Sequence, residues 1–151
     1  MTSPILLCTD GSDEALGALS AGLALLGRDH DFVLVSVMDA PDEASLSGSG
    51  HAGADLSLKE YDDQLAEAQK AAQRAIEDAQ NELSLVGAEV RIVSGGPGEA
   101  ICHLASELSA GAVVVGSRGR GGLKRFFLGS VSDHVARNAP CSVVVAKSSL
   151  P

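Results

Sequence analysis

Four short runs, PILLCTD from Pro4, FVLVSVM from Phe32, GAVVVG from Gly111 and PCSVVVAK from Pro140, are apolar at consecutive positions rather than at alternate ones. A strand with one wet face alternates apolar and polar side chains, so a run that does not alternate must be covered on both faces. Longer segments with apolar residues three and four apart lie between these runs, the spacing of amphipathic helices. Strands buried on both sides and separated by helices fit a parallel sheet with helices packed above and below it.

Taken along the chain, the pattern predicts a strand at Pro4–Asp10 and a helix over DEALGALSAGLALLG that closes at Gly27. A second strand follows at Phe32–Met38. From Asp39 to Asp55 the residues turn to Gly, Ser, Ala and Asp, which bury little surface; this stretch reads as a mobile surface loop, and His51 within it receives no role. A long helix is expected from about Leu56 to Val86, with an inner row running from Leu58 through Leu65, Ala72 and Ala79 to Val86. The middle of that row is mostly alanine, which suits close packing on a sheet better than the knobs of a coiled coil. AEVRIVSG reads as a third strand and Pro97–Ser109 as a third helix with Ile101, Leu104, Ala105 and Leu108 inside, stopped by Gly111. GAVVVG, brief and wholly apolar, belongs inside the sheet. A short helix at about Val131–Asn138 and a last strand in PCSVVVAK complete five strands and four helices. Because parallel crossovers are right-handed, the expected fold is α/β: a doubly wound, five-stranded parallel sheet flanked by helices, a Rossmann-like or flavodoxin-like sandwich. With 151 residues, a single domain spanning 1–151 is expected.

A net charge of −9 opposes nucleic acid and anionic membrane surfaces, and 3% aromatic residues with no Trp leave no platforms for stacking bases. The first residues, MTSPILLCTDG, carry no basic region ahead of the apolar run, so neither a secretion signal nor a membrane anchor is expected, and the cytoplasm is the expected compartment. Cys8, Cys102 and Cys141 show no CxxC spacing and read as buried free thiols.

Against this acidic background, GSRGRGGLKRFFLGS (Gly116 to Ser130) gathers five glycines and four cations without one acid. It leaves the carboxyl end of the fourth strand, where ligands of open α/β sheets sit. Gly116, Gly119, Gly121 and Gly122 let backbone amides approach an anion, Gly129 and Ser130 open a helix, and Arg118, Arg120, Lys124 and Arg125 add positive charge. A helix start favours an anion by roughly 0.3–1 kcal/mol per exposed interaction. Each part has a plain reading as well: a long turn, solvated cations, a capping box between Ser130 and Asp133. Their convergence at one strand end points to phosphate or nucleotide binding. The Walker A lysine is missing, with Gly122 in its place, and no GxGxxG occurs.

Gly116, Gly119, Gly129 and Ser130 are spaced as G-x2-G-x9-G-S, and in this the chain resembles the universal stress protein family, whose ATP-binding signature is G-x2-G-x9-G-(S/T). The resemblance covers nearly the whole chain, from ILLCTDGSDEAL to GSVSDHVARNAPCSVVVAK. It implies that Asp10 lies near the ribose, phosphates or metal, that the backbone at Val37 meets adenine, and that Gly116, Gly119, Gly129, Ser130 and Val131 contact phosphates and ribose, with Arg118 beside them. It further implies ATP carried with Mg²⁺ or Mn²⁺, a homodimer joined through the last strand, and a regulatory protein whose ATP hydrolysis is at most slow. Gly96 departs from the polar residue that many relatives carry before the proline of the G-x-P turn. An adenylyl-transfer enzyme on the same fold and a nucleotide-free interaction module are the alternatives; the first lacks further signature residues around the phosphates, and the intact glycine spacing opposes the second. The sequence names no downstream protein partner.

Other constellations invite catalytic readings. Ser130, Asp133 and His134 contain the residue types of a triad, but adjacent residues point to different sides of a helix. Glu99, His103 and Glu107 stack as metal ligands can and read instead as a solvated face. His30 follows a helix end, where positive charge is favourable. SGGPGE from Ser94 superficially resembles the pyrophosphatase loop of ATP pyrophosphatases but lacks its Asp-Ser pair, so it reads as a helix entrance. Phe126 and Phe127 are expected to pack on the domain or on a dimer mate.

Overall fold

The computed structural model describes residues 2–46, 56–118 and 128–148. Strand β1 (Ile5–Thr9) is buried along its length and leads through Ser12 into helix α1 (Asp13–Leu26). The Ser12 hydroxyl accepts from the Ala15 amide at 3.2 Å, Asp13 and Glu14 complement the helix dipole, and Gly27, at φ 79°, ends the helix. Strand β2 (Phe32–Met38) follows as expected, with the His30 ring edge-on to Phe32 and its Nε2 at 3.2 Å from the Leu26 carbonyl at the end of α1.

After β2, the chain makes one 3-10 turn at Glu43–Ser45 capped by Asp42, and Leu46 bridges to Leu56; residues 47–55, including His51, lie outside the described residues. Helix α2 (Leu58–Glu82) is shorter than its apolar periodicity. A reciprocal cap between Ser57 and Glu60 fixes its start, and the amide donation holds the Glu60 carboxyl below its usual value. Leu58 and Val86, expected on the inner face, are instead 68% and 80% exposed: Leu58 is the first residue of the helix, which has stopped before Val86.

Strand β3 (Glu89–Ser94) and helix α3 (Pro97–Glu107) come next. Helix α3 ends earlier than expected and not at Gly111: Ser109 takes φ 49°, and the Ala110 amide reaches back to the Ala105 carbonyl at 2.9 Å. Ser84, φ 54°, ends α2 in the same way. Strand β4 (Ala112–Gly116), helix α4 (Ser130–Asn138) and strand β5 (Ser142–Ala146) complete the chain.

All pairings are parallel and the strand order is β3-β2-β1-β4-β5, the doubly wound arrangement. Alternation along the central strands sends Leu7, Leu34 and Val114 to the face covered by α1 and α2, and Leu6, Val35 and Val113 to the face covered by α3 and α4. Cys8, Cys102 and Cys141 all belong to the second layer and are free thiols; Cys8 is buried and the other two are half-buried. Burial pushes the Cys8 thiol far above its ordinary value, with the other two thiols acting in the same direction.

Candidate functional site

The sheet splits at one end. Strands β1 and β4 pair from Ile5↔Ala112 to Leu7↔Val114 and no further, although β1 runs on to Thr9 and β4 to Gly116. The strand order reverses between these two strands, so the parting opens a crevice at the topological switch point. Gly116 sits where a Cβ would stand 3.1 Å from the Arg118 carbonyl oxygen and 3.4 Å from the Ala18 Cβ, so the absence of a side chain lets β4 turn back tightly here.

Beyond β4, the Gly129 amide donates to the Ser117 carbonyl at 2.8 Å, and the buried Ser132 hydroxyl donates to the carbonyls of Ser117 and Gly129 at 3.2 and 3.0 Å. These bonds tie the start of α4 to the end of β4. The expected capping box of Ser130 with Asp133 is not formed. Gly129 is the capping residue, Ser130 is the first residue inside the helix, and Asp133 is instead paired with Arg137 at 3.0 Å. No side chain caps α4, and none caps α3, whose capping residue is Gly96; α1 and α2 are capped by their own serines. The corner where β4 meets α4 therefore presents a helix start whose first amides have no side-chain acceptor.

On the other side of the crevice, Asp10 Oδ1 accepts from the Ser12 amide at 2.9 Å and from the Ser12 hydroxyl at 2.5 Å, and the Gly11 amide donates to the buried Thr9 hydroxyl at 3.0 Å. Asp10 thus orients the residue that caps α1. We expect Asp10→Ala to lower stability by about 1 kcal/mol, near the worth of a cap, and Asp10→Asn, which keeps the acceptor oxygen, to recover most of it. For a chain of this size that is a drop of about 2–4 °C in melting temperature. A thermal melt of Asp10→Ala that overlays the parent curve would remove this structural role.

Asp10, Val37, Gly116, Arg118, Gly129, Ser130 and Val131 all line one cavity of about 360 Å³, a size suited to a small organic ligand. Gly119, the remaining expected ligand residue, lies outside the described residues, as do Arg120, Gly121, Gly122, Lys124, Arg125, Phe126 and Phe127. Strand β2 continues two residues past its last pairing with β1, Thr9↔Ser36, so the backbone at Val37 reaches the crevice beyond the end of β1. Sequence reasoning missed the other walls. Ala68, Ala71, Ala72 and Ala75 of α2 close one side, Cys8 and Ser36 lie at the bottom, and Asp39 stands at the β2 rim. The alanine row packs as expected, with Ala72, Ala75 and Ala79 buried, and its Ala68–Ala75 part forms a cavity wall as well.

The apparent triad is dismantled. The His134 ring is wedged against Gly98 of α3, where a Cβ would stand 2.7 Å from the imidazole Cγ. Glu99, His103 and Glu107 are exposed, and among the described residues no group of three or more His, Cys, Asp or Glu side chains could hold a metal ion.

Fold and site together define a doubly wound α/β protein with a ligand cavity at its switch point, where a helix start lacking a side-chain cap faces a strand-end carboxylate. The sequence matches the model of the universal stress protein family over residues 1–147, and the chain belongs to that family. It is 30% identical over 150 residues to the universal stress protein YxiE of Bacillus subtilis, covering 97% of this chain and all of YxiE. Its fold is similar to the solved structure of the protein MJ0577 (TM-score 0.73, 28% identity, 100% of this chain and 99% of that one). It is similar as well to a universal stress protein solved in complex with cAMP (TM-score 0.63, 25% identity, 97% of this chain and 98% of that one).

Proposed function

We propose that this chain is a regulatory protein of the stress response that binds ATP, carried with Mg²⁺ or Mn²⁺, and that it works in the cytoplasm as a homodimer rather than as a dedicated enzyme. One observation carries the reading: the start of α4, without a side-chain cap, opens onto the same cavity as Arg118, Asp10 and the overhanging end of β2. Backbone amides and the dipole of α4 suit phosphate, and Arg118 adds charge. The strand-end carboxylate of Asp10 suits ribose hydroxyls or a phosphate-bound cation, and the apolar alanine wall suits a flat base. The relative that binds cAMP gives a precedent for an adenine ligand on this fold at 25% identity.

The metal is read as arriving on the nucleotide because Asp10 and Asp39 alone are too few donors for a protein cage. A binding role is favoured over catalysis because His134 is a packing wedge and Asp133 is engaged by Arg137, so neither serves Ser130 as a base. The cytoplasmic assignment is supported by three free thiols, and among the described residues no helix is long and apolar enough to cross a membrane. Among the described residues strand β5 pairs with β4 alone, and its Val143, Val144 and Val145 are half-buried on the two faces beside that outer edge, which a second copy would cover.

The test is calorimetric titration of the purified chain with ATP, ADP, AMP and GTP, with and without Mg²⁺, alongside Gly119→Val. Micromolar adenine-nucleotide binding that is lost in a still-folded Gly119→Val is the expected result, and the same preparation should sediment at twice the chain mass. Absence of any adenine-nucleotide binding would overturn the reading, and turnover of many ATP per minute would replace the regulatory role with an enzymatic one.

A further inference from the structure

We propose that Asp39 accepts a hydrogen bond from the exocyclic amino group of the bound adenine, and that it thereby makes the pocket selective for bases carrying that donor. The inference rests on the adenine-nucleotide reading above and adds to it a residue that neither the glycine spacing nor the family resemblance singled out.

The cavity is polar at its two ends with opposite sign. Arg118, Gly129 and Ser130 line it from the β4 side, whereas Asp39 lines it just past the end of β2. Strand β1 lies between, so the two ends are separated by two strand spacings, about 10 Å. A phosphate is attracted by the cation and the helix start and repelled by the carboxylate, so an anionic nucleotide settles with its phosphates over α4 and its base over β2. At that end, the Asp39 carboxylate makes no hydrogen bond or ion pair with any described residue. An ionised carboxylate has acceptors only, and the only N–H donors on adenine are those of its exocyclic amino group. The backbone of β2 at Val37, which has no partner on its β1 side, can take one of its two protons; Asp39, two residues further along, is placed to take the other.

The experiment is a cycle between protein and ligand. ATP and its N6,N6-dimethyl analogue, which has no amino proton, are titrated into the parent chain and into Asp39→Ala, with Asp39→Asn as the conservative variant. Removing a negative charge strengthens the attraction for the triphosphate of both ligands alike and so cancels in the ratio of their dissociation constants. We expect the parent to prefer ATP, Asp39→Ala to narrow that preference five- to tenfold, and Asp39→Asn, which keeps an acceptor oxygen, to restore part of it. An unchanged ratio in Asp39→Ala, with ATP still bound, would overturn the assignment of Asp39 and leave the nucleotide reading standing. Failure of the parent chain to bind either ligand would overturn the nucleotide reading itself. Tighter binding of GTP than ATP, lost in Asp39→Ala, would assign the carboxylate to guanine N–H donors and sink the adenine proposal.

Discussion

The Ser130→Asp variant will lose adenine-nucleotide affinity at least a hundredfold while melting at the same temperature as the parent chain or above it. Ser130 is exposed, lines the cavity and is the first residue of α4. A carboxylate at a helix start interacts favourably with the helix dipole, a gain of roughly 0.3–1 kcal/mol. The same carboxylate occupies the position a phosphate would take and repels the rest of the triphosphate across a few ångströms. A substitution that acted by damaging the fold would move both quantities downward, so the opposite signs are diagnostic. Calorimetry and a thermal melt on one preparation decide the matter. ATP binding within threefold of the parent would show that the anion sits elsewhere, and a clear fall in melting temperature would show that the start of α4 is not electrostatically open.

Gly98→Val should destabilise the chain by about 3 kcal/mol, and His134→Ala in the same chain, which removes the ring but keeps the Cβ, should return part of that loss. A Cβ on Gly98 would lie 2.7 Å from His134 Cγ and 2.8 Å from both its Cβ and Cδ2. The His134 Cβ is fixed to the backbone of α4, so a rotamer change, which moves Cγ and Cδ2, leaves that contact in place; α3 and α4 must move apart, the overpacking case. Denaturant titration of the parent, both single variants and the double variant closes a mutant cycle. A Gly98→Val chain as stable as the parent, or one not rescued by His134→Ala, would mean that the ring is not the wedge described here. Since Pro97 lines the cavity one residue away, nucleotide affinity should fall along with stability in the single variant.

These two sites mark how far the sequence could be read. The sheet was legible because Leu6, Leu7, Val33, Leu34, Val113 and Val114 are buried from both sides, and such runs admit few other placements. Gly116, Gly129 and Ser130 were legible as positions that would share one cavity, because close backbone approach leaves a trace in residue type. The end of α2 was not, and that of α3 only to within two residues, because serine carries no signal for the left-handed conformation that Ser84 and Ser109 adopt. The capping residue of α4 was misplaced by one position because Ser130 is a better cap on propensity, yet the bond from Gly129 to the Ser117 carbonyl sets where the helix begins. The roles of Asp39, Ser36 and the alanine row depend on β1 and β4 parting after Leu7 and Val114, a tertiary event with no local pattern behind it. The partner of the His134 ring is of the same kind.

All three sulfhydryl groups lie in the α3 and α4 layer, and the layer formed by α1 and α2 has none. Desolvation raises the pKa of each thiol, most of all that of the buried Cys8, and so slows its reaction. An alkylating reagent therefore reports on one slab of the sandwich alone: the half-buried Cys102 and Cys141 are modified before Cys8, and breathing of the opposite slab passes unrecorded.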